Sequence, residues 1–172
     1  MTANKKLFAL GLGALALASS ALLAAPSSMV AYDVETMKLI ANADPEAGRA
    51  KAEEVNCGRC HGDLGVAEKE GQSHLAGQLA TYIYKQLRDY KDETRENRRV
   101  ARYAKKLSDE DMANIAVWYQ SLPGPKATAK PAKDSPAHKL VWRGDGPRLI
   151  PACAACHGRV GQGNVIGVPA LA

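Results

Sequence analysis

Aromatic residues are scarce in this chain, which has a single Phe and an aromatic fraction of 5% among its 172 residues. Large apolar side chains supply most of the core of a small domain, so this composition argues against a core made of side chains alone. Small domains with little core are usually stabilised by a disulfide, a metal or a cofactor. We therefore expect a group that is not made of amino acids to fill part of the interior.

Charged residues are absent from positions 7–25. Lys5 and Lys6 precede this segment, which consists mostly of Leu, Ala, Gly and Ser. A basic end followed by such a segment is typical of a secretory signal peptide. We therefore predict that residues 1–25 are a signal peptide that is removed on export to the periplasm, by a cut near Ala25 or nearer Ala31. The alternative is an uncleaved membrane anchor, because the apolar segment approaches the length that spans a bilayer.

The chain also lacks a strong net charge and a recognisable catalytic set. Loss of Lys5 and Lys6 with the signal peptide leaves 21 basic against 18 acidic side chains, a formal charge of +3. This excess is too small to indicate binding to nucleic acid. No nucleophile paired with a general base can be identified, so we expect a protein that is not itself an enzyme.

The chain has four cysteines, and all of them lie in two short motifs. Residues 57–61 read Cys-Gly-Arg-Cys-His and residues 153–157 read Cys-Ala-Ala-Cys-His, each followed by Gly. An even number of cysteines in an exported protein ordinarily indicates disulfides. Here the regular spacing, with a His directly after the second cysteine of each pair, indicates a site for a metal or a metal-containing cofactor.

Three kinds of site use cysteines at this spacing, and two of them fit poorly. Structural zinc sites use cysteine pairs much closer together than the 96 residues that separate these motifs. A thioredoxin-like site requires a strand before the motif, and no β-rich segment precedes either one. In covalent haem, the two thiols add to the porphyrin vinyl groups and the adjacent His binds the iron. The sequence therefore predicts two covalently bound haem c groups.

The residues assigned to these two sites follow from the motifs. A helical turn that carries both cysteines presents the next imidazole to the same flat cofactor, so His61 and His157 are the predicted iron ligands. The predicted covalent anchors are Cys57, Cys60, Cys153 and Cys156.

The periodicity of apolar residues predicts an all-α protein. Leu, Ile, Leu and Tyr at helical spacing share one face of a helix over 79–90. Ser108, followed by three acidic residues, predicts the N-cap of a second helix that ends before Pro123, with a loop between the two helices. Shorter helices are predicted before the motifs, over 44–55 and 139–143, and no alternating strand pattern is present.

The composition divides the chain into five segments. The fourth of these is rich in Pro, Ala and Lys, which is typical of a linker. Only 15 residues follow His157, fewer than are needed to cover a second haem, so we expect either a longer natural protein or a partner that completes this site. In chain order the segments are a signal peptide (1–25), a leader (26–43), a first haem unit (44–123), a linker (124–137) and an incomplete second haem unit (138–172).

The order of the motifs resembles that of class I cytochromes c. After the first C-x-x-C-H come Leu-Ala-Gly-Gln at 75–78, Tyr-x-Gln-Leu at 84–87 and Leu-Ser-Asp-Glu-Asp at 107–111. The tandem arrangement resembles the di-haem cytochrome c4 family, since Pro-Ala-Cys at 151–153 and Pro-Ala-Leu at 169–171 look like the start of that family's second domain. The resemblance covers the first unit and about the opening third of the second.

This resemblance implies both a fold and a function. The fold is an all-α class I cytochrome c domain followed by the start of a second one. Family members are periplasmic electron carriers, often membrane-associated, so the implied partners are a membrane oxidase, a cytochrome bc1-type donor or a dehydrogenase. An alternative is the electron-accepting cytochrome subunit of a periplasmic dehydrogenase, for instance in sulfur-compound oxidation.

One position departs from the family pattern. The resemblance implies a Met as sixth iron ligand shortly before Leu-Ser-Asp, where this chain has Val100, and no Met lies between Lys38 and Asp111. The first haem then has an open face, takes another donor, or receives Met37 from the leader. An open face would suit a sensor of small ligands, which is a third functional hypothesis. The other nameable donors are Tyr103, Lys105, Lys106 and His74, of which His74 is expected at the surface.

Basic residues are concentrated between Lys85 and Lys106, where nine Lys or Arg accompany four acidic residues, an excess of five. This stretch is either a solvated helical face with internal ion pairs or a docking surface for the acidic face of a redox partner. Complementary charge speeds the encounter of electron-transfer partners without making the complex too tight to release. The second interpretation predicts electron transfer that slows as salt rises.

Overall fold

The computed structural model describes residues 32–125, 132–164 and 167–171. The predicted signal peptide and the middle of the predicted linker lie outside these residues. Within them the chain is helical, with two isolated bridge pairs and no strand, which confirms the predicted all-α fold. None of the described helices is both long and apolar enough to cross a bilayer. The helices so described are α1 (Val34–Ala41), α2 (Pro45–Glu54), α3 (Gly58–His61), α4 (Ala80–Lys91), α5 (Arg98–Ala104), α6 (Asp109–Ser121), α7 (Pro136–Arg143) and α8 (Cys153–His157), and a 3-10 turn spans Gly146–Arg148.

Helix α6 lies at the centre of the first helical unit, because α1, α2 and α4 all pack on it. The Ser108 hydroxyl accepts the Asp111 N–H at 3.0 Å, and the Asp111 carboxylate accepts the Ser108 N–H at 2.9 Å. This capping box confirms the predicted helix start and stabilises the helix by about 1 kcal/mol. Met112, Ile115 and Tyr119 on its apolar face are almost completely buried.

Helices α2 and α6 approach closely at Gly48. A Cβ atom at this position would lie 1.9 Å from the backbone oxygen of Asn114, so only Gly is accommodated there. The side-chain oxygen of Asn114 accepts the N–H of Asp44, the N-cap residue of α2, at 2.8 Å. After α2 the N–H of Cys57 donates to the carbonyl oxygen of Ala52 at 2.9 Å. The contact between α2 and α6 therefore fixes the position at which the first cysteine motif begins.

Helix α4 confirms the periodic helix predicted over this part of the chain, and its neighbour α5 was not predicted. Ile83 and Tyr84 of α4 are buried, and α5 packs beside α4. The side-chain oxygen of Asn97 caps α5 by accepting the N–H groups of Arg99 and Val100 at 3.1 and 3.3 Å. The expectation of a loop was wrong for these residues, because the cap lies in a charged stretch without a clear apolar periodicity.

The predicted leader contains helix α1. Its Ile40 is only 8% exposed and joins the core that α4 and α6 form. Asp33 caps the helix by accepting the N–H of Thr36 at 2.8 Å, and the neighbouring Tyr32 donates its hydroxyl to the carbonyl oxygen of Thr81 at 3.1 Å. Part of the leader is therefore packed on the first helical unit.

The second unit buries far fewer side chains than the first. Helices α7 and α8 pack against each other, yet none of the described residues from 132 onward is buried. Leu149 and Val160 are 90% and 74% exposed. The guanidinium of Arg159 lies 5.6 Å from the centre of the Trp142 ring, which joins α7 to the loop after α8. The described part of this unit therefore has apolar side chains but no buried interior.

Two candidate haem sites

The first cysteine motif forms one wall of a large cavity. Cys57 is the N-cap residue of the single-turn helix α3, and the N–H groups of Cys60 and His61 donate to its carbonyl oxygen at 3.2 and 3.1 Å. All three side chains line a cavity of about 840 Å³, and both cysteines are free thiols. This turn brings two thiols and an imidazole to one space, which is what covalent haem attachment requires.

The His61 ring is held by a backbone carbonyl. Its Nδ1 atom lies 2.8 Å from the carbonyl oxygen of Ser73, twelve residues further along. A carbonyl oxygen can only accept, so in the neutral ring Nδ1 carries the proton and Nε2 keeps its lone pair. A hydrogen bond of this kind orients a ligating imidazole and raises its basicity. The ring is thus prepared to bind a metal through Nε2.

The interior of the cavity is mainly apolar and contains the buried phenol of Tyr119. Ile83, Leu87 and Ile115 line it. Tyr119 is 1% exposed, and its hydroxyl interacts with the Cys57 thiol but makes no hydrogen bond of good geometry in the described part of the chain. Burial raises the pKa of Tyr119 far above its usual value and raises the pKa of Cys57 to about 11, so both groups are neutral at pH 7. Such a cavity fits a flat apolar ring that offers an acceptor to a buried phenol.

The rim of the cavity carries arginines. The guanidinium of Arg95 lies 4.9 Å from the centre of the Tyr90 ring and donates to the side-chain oxygen of Gln86. Arg98 and Arg99 also line the rim, are exposed, and form no ion pair with any described residue. Guanidinium groups pair strongly with carboxylates. The rim therefore suits the propionates of a haem or the acidic surface of another protein.

The second motif repeats the hydrogen-bond frame of the first. The Nδ1 atom of His157 lies 2.8 Å from the carbonyl oxygen of Pro169, again twelve residues further along. The N–H of Leu171 donates to the carbonyl oxygen of Gly161 at 2.7 Å, which repeats the 2.7 Å bond from Leu75 to Gly65. Because two such frames arise 96 residues apart, both motifs prepare the histidine in the same way. The second site is more open, since Cys156 is exposed.

The two units meet at the first cavity. Pro169, Ala170 and Leu171 line it together with residues of α3, α4 and α5. The side-chain amide of Gln78 joins them: its Nε2 donates to the carbonyl oxygen of Ala170 at 3.0 Å, and its Oε1 accepts the N–H of Ala170 at 2.8 Å. The segment that follows the second histidine is therefore also a wall of the first site.

Known proteins resemble this chain over most of its described length, although no protein-family model matches it. Over 118 residues it is 37% identical to cytochrome c4 of Thiocapsa roseopersicina, covering 69% of this chain and 60% of that protein. The crystal structure of reduced recombinant cytochrome c4 from Pseudomonas stutzeri matches with a TM-score of 0.69 and 34% identity, covering 75% of this chain and 72% of that one. The chain belongs to the cytochrome c4 family. The resemblance inferred from the motifs is thus confirmed.

Membership supports the predicted cofactor, because cytochrome c4 is a di-haem c-type cytochrome. A further relative is the thiosulfate dehydrogenase electron acceptor of Stutzerimonas stutzeri (strain A1501), 36% identical over 130 residues that cover 73% of this chain and 60% of that protein. The chain spans about 60% of the length of these curated relatives.

Helix α5 forms the cavity wall that carries Val100, the position at which the resemblance implied a Met. Val100, Tyr103 and Ala104 line the cavity, and no Met is present among its described lining residues. A valine side chain has no atom that can bind iron. The thioether donor of the family pattern is therefore missing from this wall.

Of the alternative donors named from the sequence, two reach the cavity and three do not. Tyr103 and His74 line it, whereas Lys105, Lys106 and Met37 are not among its lining residues. His74 is exposed, as expected, and its Nδ1 accepts a backbone N–H of its own loop at 3.0 Å. Tyr103 is therefore the alternative donor that α5 itself provides.

Three contributors to the site were not singled out from the sequence. The Tyr119 phenol was assigned only to the apolar face of its helix, and a buried Tyr with a free hydroxyl could not be foreseen from periodicity. Arg95 was counted in a basic stretch with no link to a cavity. Gln78 was noted only as part of a motif, because its partner Ala170 lies 92 residues away.

Proposed function

We propose that this chain is a periplasmic di-haem c-type cytochrome that carries electrons between redox partners, toward a terminal oxidase or another reductase. Cys57 and Cys60 would hold the first haem, with His61 as its iron ligand. Cys153, Cys156 and His157 would do the same for the second. Haem supplies reversible one-electron chemistry when bound, and the chain's residues hold it, orient its ligand and limit its contact with water.

The repeated frame around His61 and His157 carries this proposal. Each imidazole donates through Nδ1 to a carbonyl oxygen at 2.8 Å, which leaves Nε2 available for iron. A disulfide framework has no need of such an arrangement, and the described residues contain no group of three or more His, Cys, Asp or Glu side chains that could hold a zinc ion. Membership of the cytochrome c4 family supports the same conclusion.

The proposed partners are redox proteins with an acidic docking face: a membrane oxidase, a cytochrome bc1-type donor or a dehydrogenase. Part of the basic stretch is used internally, since Lys85, Arg88 and Lys105 pair with carboxylates of the chain. Arg98 and Arg99 are exposed at the cavity rim without an ion pair among the described residues. Guanidinium groups beside a haem edge suit a short-lived electrostatic complex.

Haem content and reversible reduction test the proposal. The chain is expressed with a haem-attachment system, and intact-protein mass and absorption spectra are recorded for wild type, C57A/C60A and C153A/C156A. We expect two haems in the wild type, one in each double variant, and full oxidation and reduction of every haem. Zinc without haem, or a disulfide within either motif, would overturn the proposal. Fractionation of expressing cells tests the periplasmic location.

A second candidate function is that of electron acceptor for a thiosulfate dehydrogenase. The relative from Stutzerimonas stutzeri, named for this role, supports it. In either case the chain would accept electrons and leave substrate chemistry to its partner. Rapid reduction of the oxidised chain by a thiosulfate dehydrogenase with thiosulfate, together with stable co-purification, would favour this role over that of a free carrier.

A further inference from the structure

Gln78 of the first unit makes two of its three side-chain hydrogen bonds to Ala170 of the second unit. Its Oε1 accepts two backbone N–H groups, from Leu79 at 2.9 Å and from Ala170 at 2.8 Å. Its Nε2 donates to the carbonyl oxygen of Ala170 at 3.0 Å. Because backbone N–H groups only donate, these contacts fix the orientation of the amide. Leu79 is the N-cap residue of α4, so Gln78 is held at the start of a packed helix.

One peptide group connects this amide to the second histidine. The carbonyl oxygen of Pro169 and the N–H of Ala170 belong to the same planar peptide unit. Its oxygen accepts the Nδ1–H of His157 at 2.8 Å, and its N–H donates to the Oε1 of Gln78 at 2.8 Å. Hydrogen bonds arranged in a chain polarise one another, so donation to Gln78 makes the Pro169 oxygen a stronger acceptor.

We infer that Gln78 is a positioning residue of the first unit that tunes the iron ligand of the second. A stronger acceptor at Nδ1 makes the His157 imidazole more basic, and a more basic axial ligand stabilises ferric over ferrous iron. Gln78 therefore lowers the reduction potential of the second haem. Gln78 and Ala170 also line the first cavity, so the contact lies between the two haem sites. The inference rests on the proposed haem attachment at both motifs.

Two substitutions separate tuning from simple loosening of the interface. Q78L removes both the acceptor and the donor, so the potential of the second haem should rise. Q78E keeps a carboxylate acceptor for the Ala170 N–H and loses the donor, so the potential should stay or fall. The matched control is Q86L: Gln86 lines the same cavity from α4, and its side-chain oxygen accepts from Arg95 rather than from the second unit.

The test is a spectroelectrochemical titration of the full di-haem chain, with the second haem assigned by its absence in C153A/C156A. The inference is supported if the reduction potential of the second haem rises in Q78L, does not rise in Q78E and is unchanged in Q86L. Any of three results for the second haem would overturn it: an unchanged potential in Q78L, a rise of equal size in Q78L and Q78E, or a rise in Q86L. A wild-type chain without haem at the second motif would overturn the proposed function, and the inference with it.

Discussion

His61 Nδ1 lies 2.8 Å from the carbonyl oxygen of Ser73, and this contact, rather than the cysteine spacing alone, prepares the first histidine as an iron ligand. The sequence motif places an imidazole after two thiols, whereas the backbone bond decides which ring nitrogen carries the proton. His157 makes the same bond to the carbonyl oxygen of Pro169, again twelve residues further along, so the two histidines have equivalent hydrogen bonding. They differ in what surrounds them, since one opens on a large cavity and the other is exposed.

Replacement of the proposed iron ligand of the first site should leave the haem attached but weakly ligated. In H61G both cysteines remain, so mass spectrometry should still show two haems. The absorption and electron paramagnetic resonance spectra of one haem should change, because its imidazole ligand is gone, and added imidazole should restore them. The matched control is H74A, which removes an exposed His that also lines the cavity. The same spectral change in H74A instead of H61G would assign the ligand differently.

The position of Val100 on the α5 wall leads to a prediction about the ligation of the first haem. The substitution V100M introduces a thioether on the wall where the family pattern has one, so the potential of the first haem should rise. Any carbon monoxide binding by the reduced first haem should be lost in the same variant. The control V100L has a similar size and no donor, and it should behave like the wild type. If V100L and V100M have the same effect, side-chain volume rather than ligation is responsible.

The exposed arginines at the cavity rim lead to a prediction about the rate of electron transfer with an acidic partner. The substitution R98E reverses an exposed charge beside the cavity, and we expect a several-fold slower second-order electron transfer with an acidic partner at low ionic strength. The difference should shrink as salt is added, because exposed charges are screened within about 10 Å at 0.1 M salt. Rapid-mixing kinetics measure both effects.

The control for this substitution makes the same change in charge elsewhere. Arg49 lies on α2, pairs with Glu46 and Glu53, and does not line the cavity. R49E should therefore slow the reaction much less than R98E. Equal slowing in both variants would mean that net charge alone, rather than the rim, guides the encounter.

The capping box at α6 makes a prediction about stability. S108A removes the side-chain acceptor of the Asp111 N–H and should lower the free energy of unfolding by about 1 kcal/mol. Denaturant titration of the reduced and oxidised protein measures this loss. S73A is the matched control, since Ser73 serves His61 through its carbonyl oxygen, which the substitution keeps. A loss in S73A as large as in S108A would show that the Ser73 side chain has a role of its own.

Much of the fold could be predicted because its signals are local. The helix α4 follows from apolar residues at helical spacing, and α6 follows from Ser108 and the acidic residues after it. The cysteine motifs could be interpreted for a similar reason, since a thiol pair and an imidazole on one turn leave few chemical uses. In each case the residues that carry the signal lie within about three helical turns of each other.

The remainder depends on contacts between distant residues. Helix α5 is short and begins at Asn97 within a charged stretch, so its packing on α4 decides its structure more than its own pattern does. The bond between Gln78 and Ala170 spans 92 residues and involves a backbone partner that no side-chain pattern marks. The core contact of Ile40 likewise depends on α6, which is formed by a much later part of the chain.

The most direct test of the central claim counts electrons. The purified full chain is reduced completely without oxygen, titrated with a one-electron oxidant and monitored by haem absorption. We expect two haem c groups per chain and two electrons released reversibly, and only one electron released by each of the variants C57A/C60A and C153A/C156A. A chain that holds fewer than two haems, or whose haems do not cycle reversibly, would contradict the proposal that it is a di-haem electron carrier.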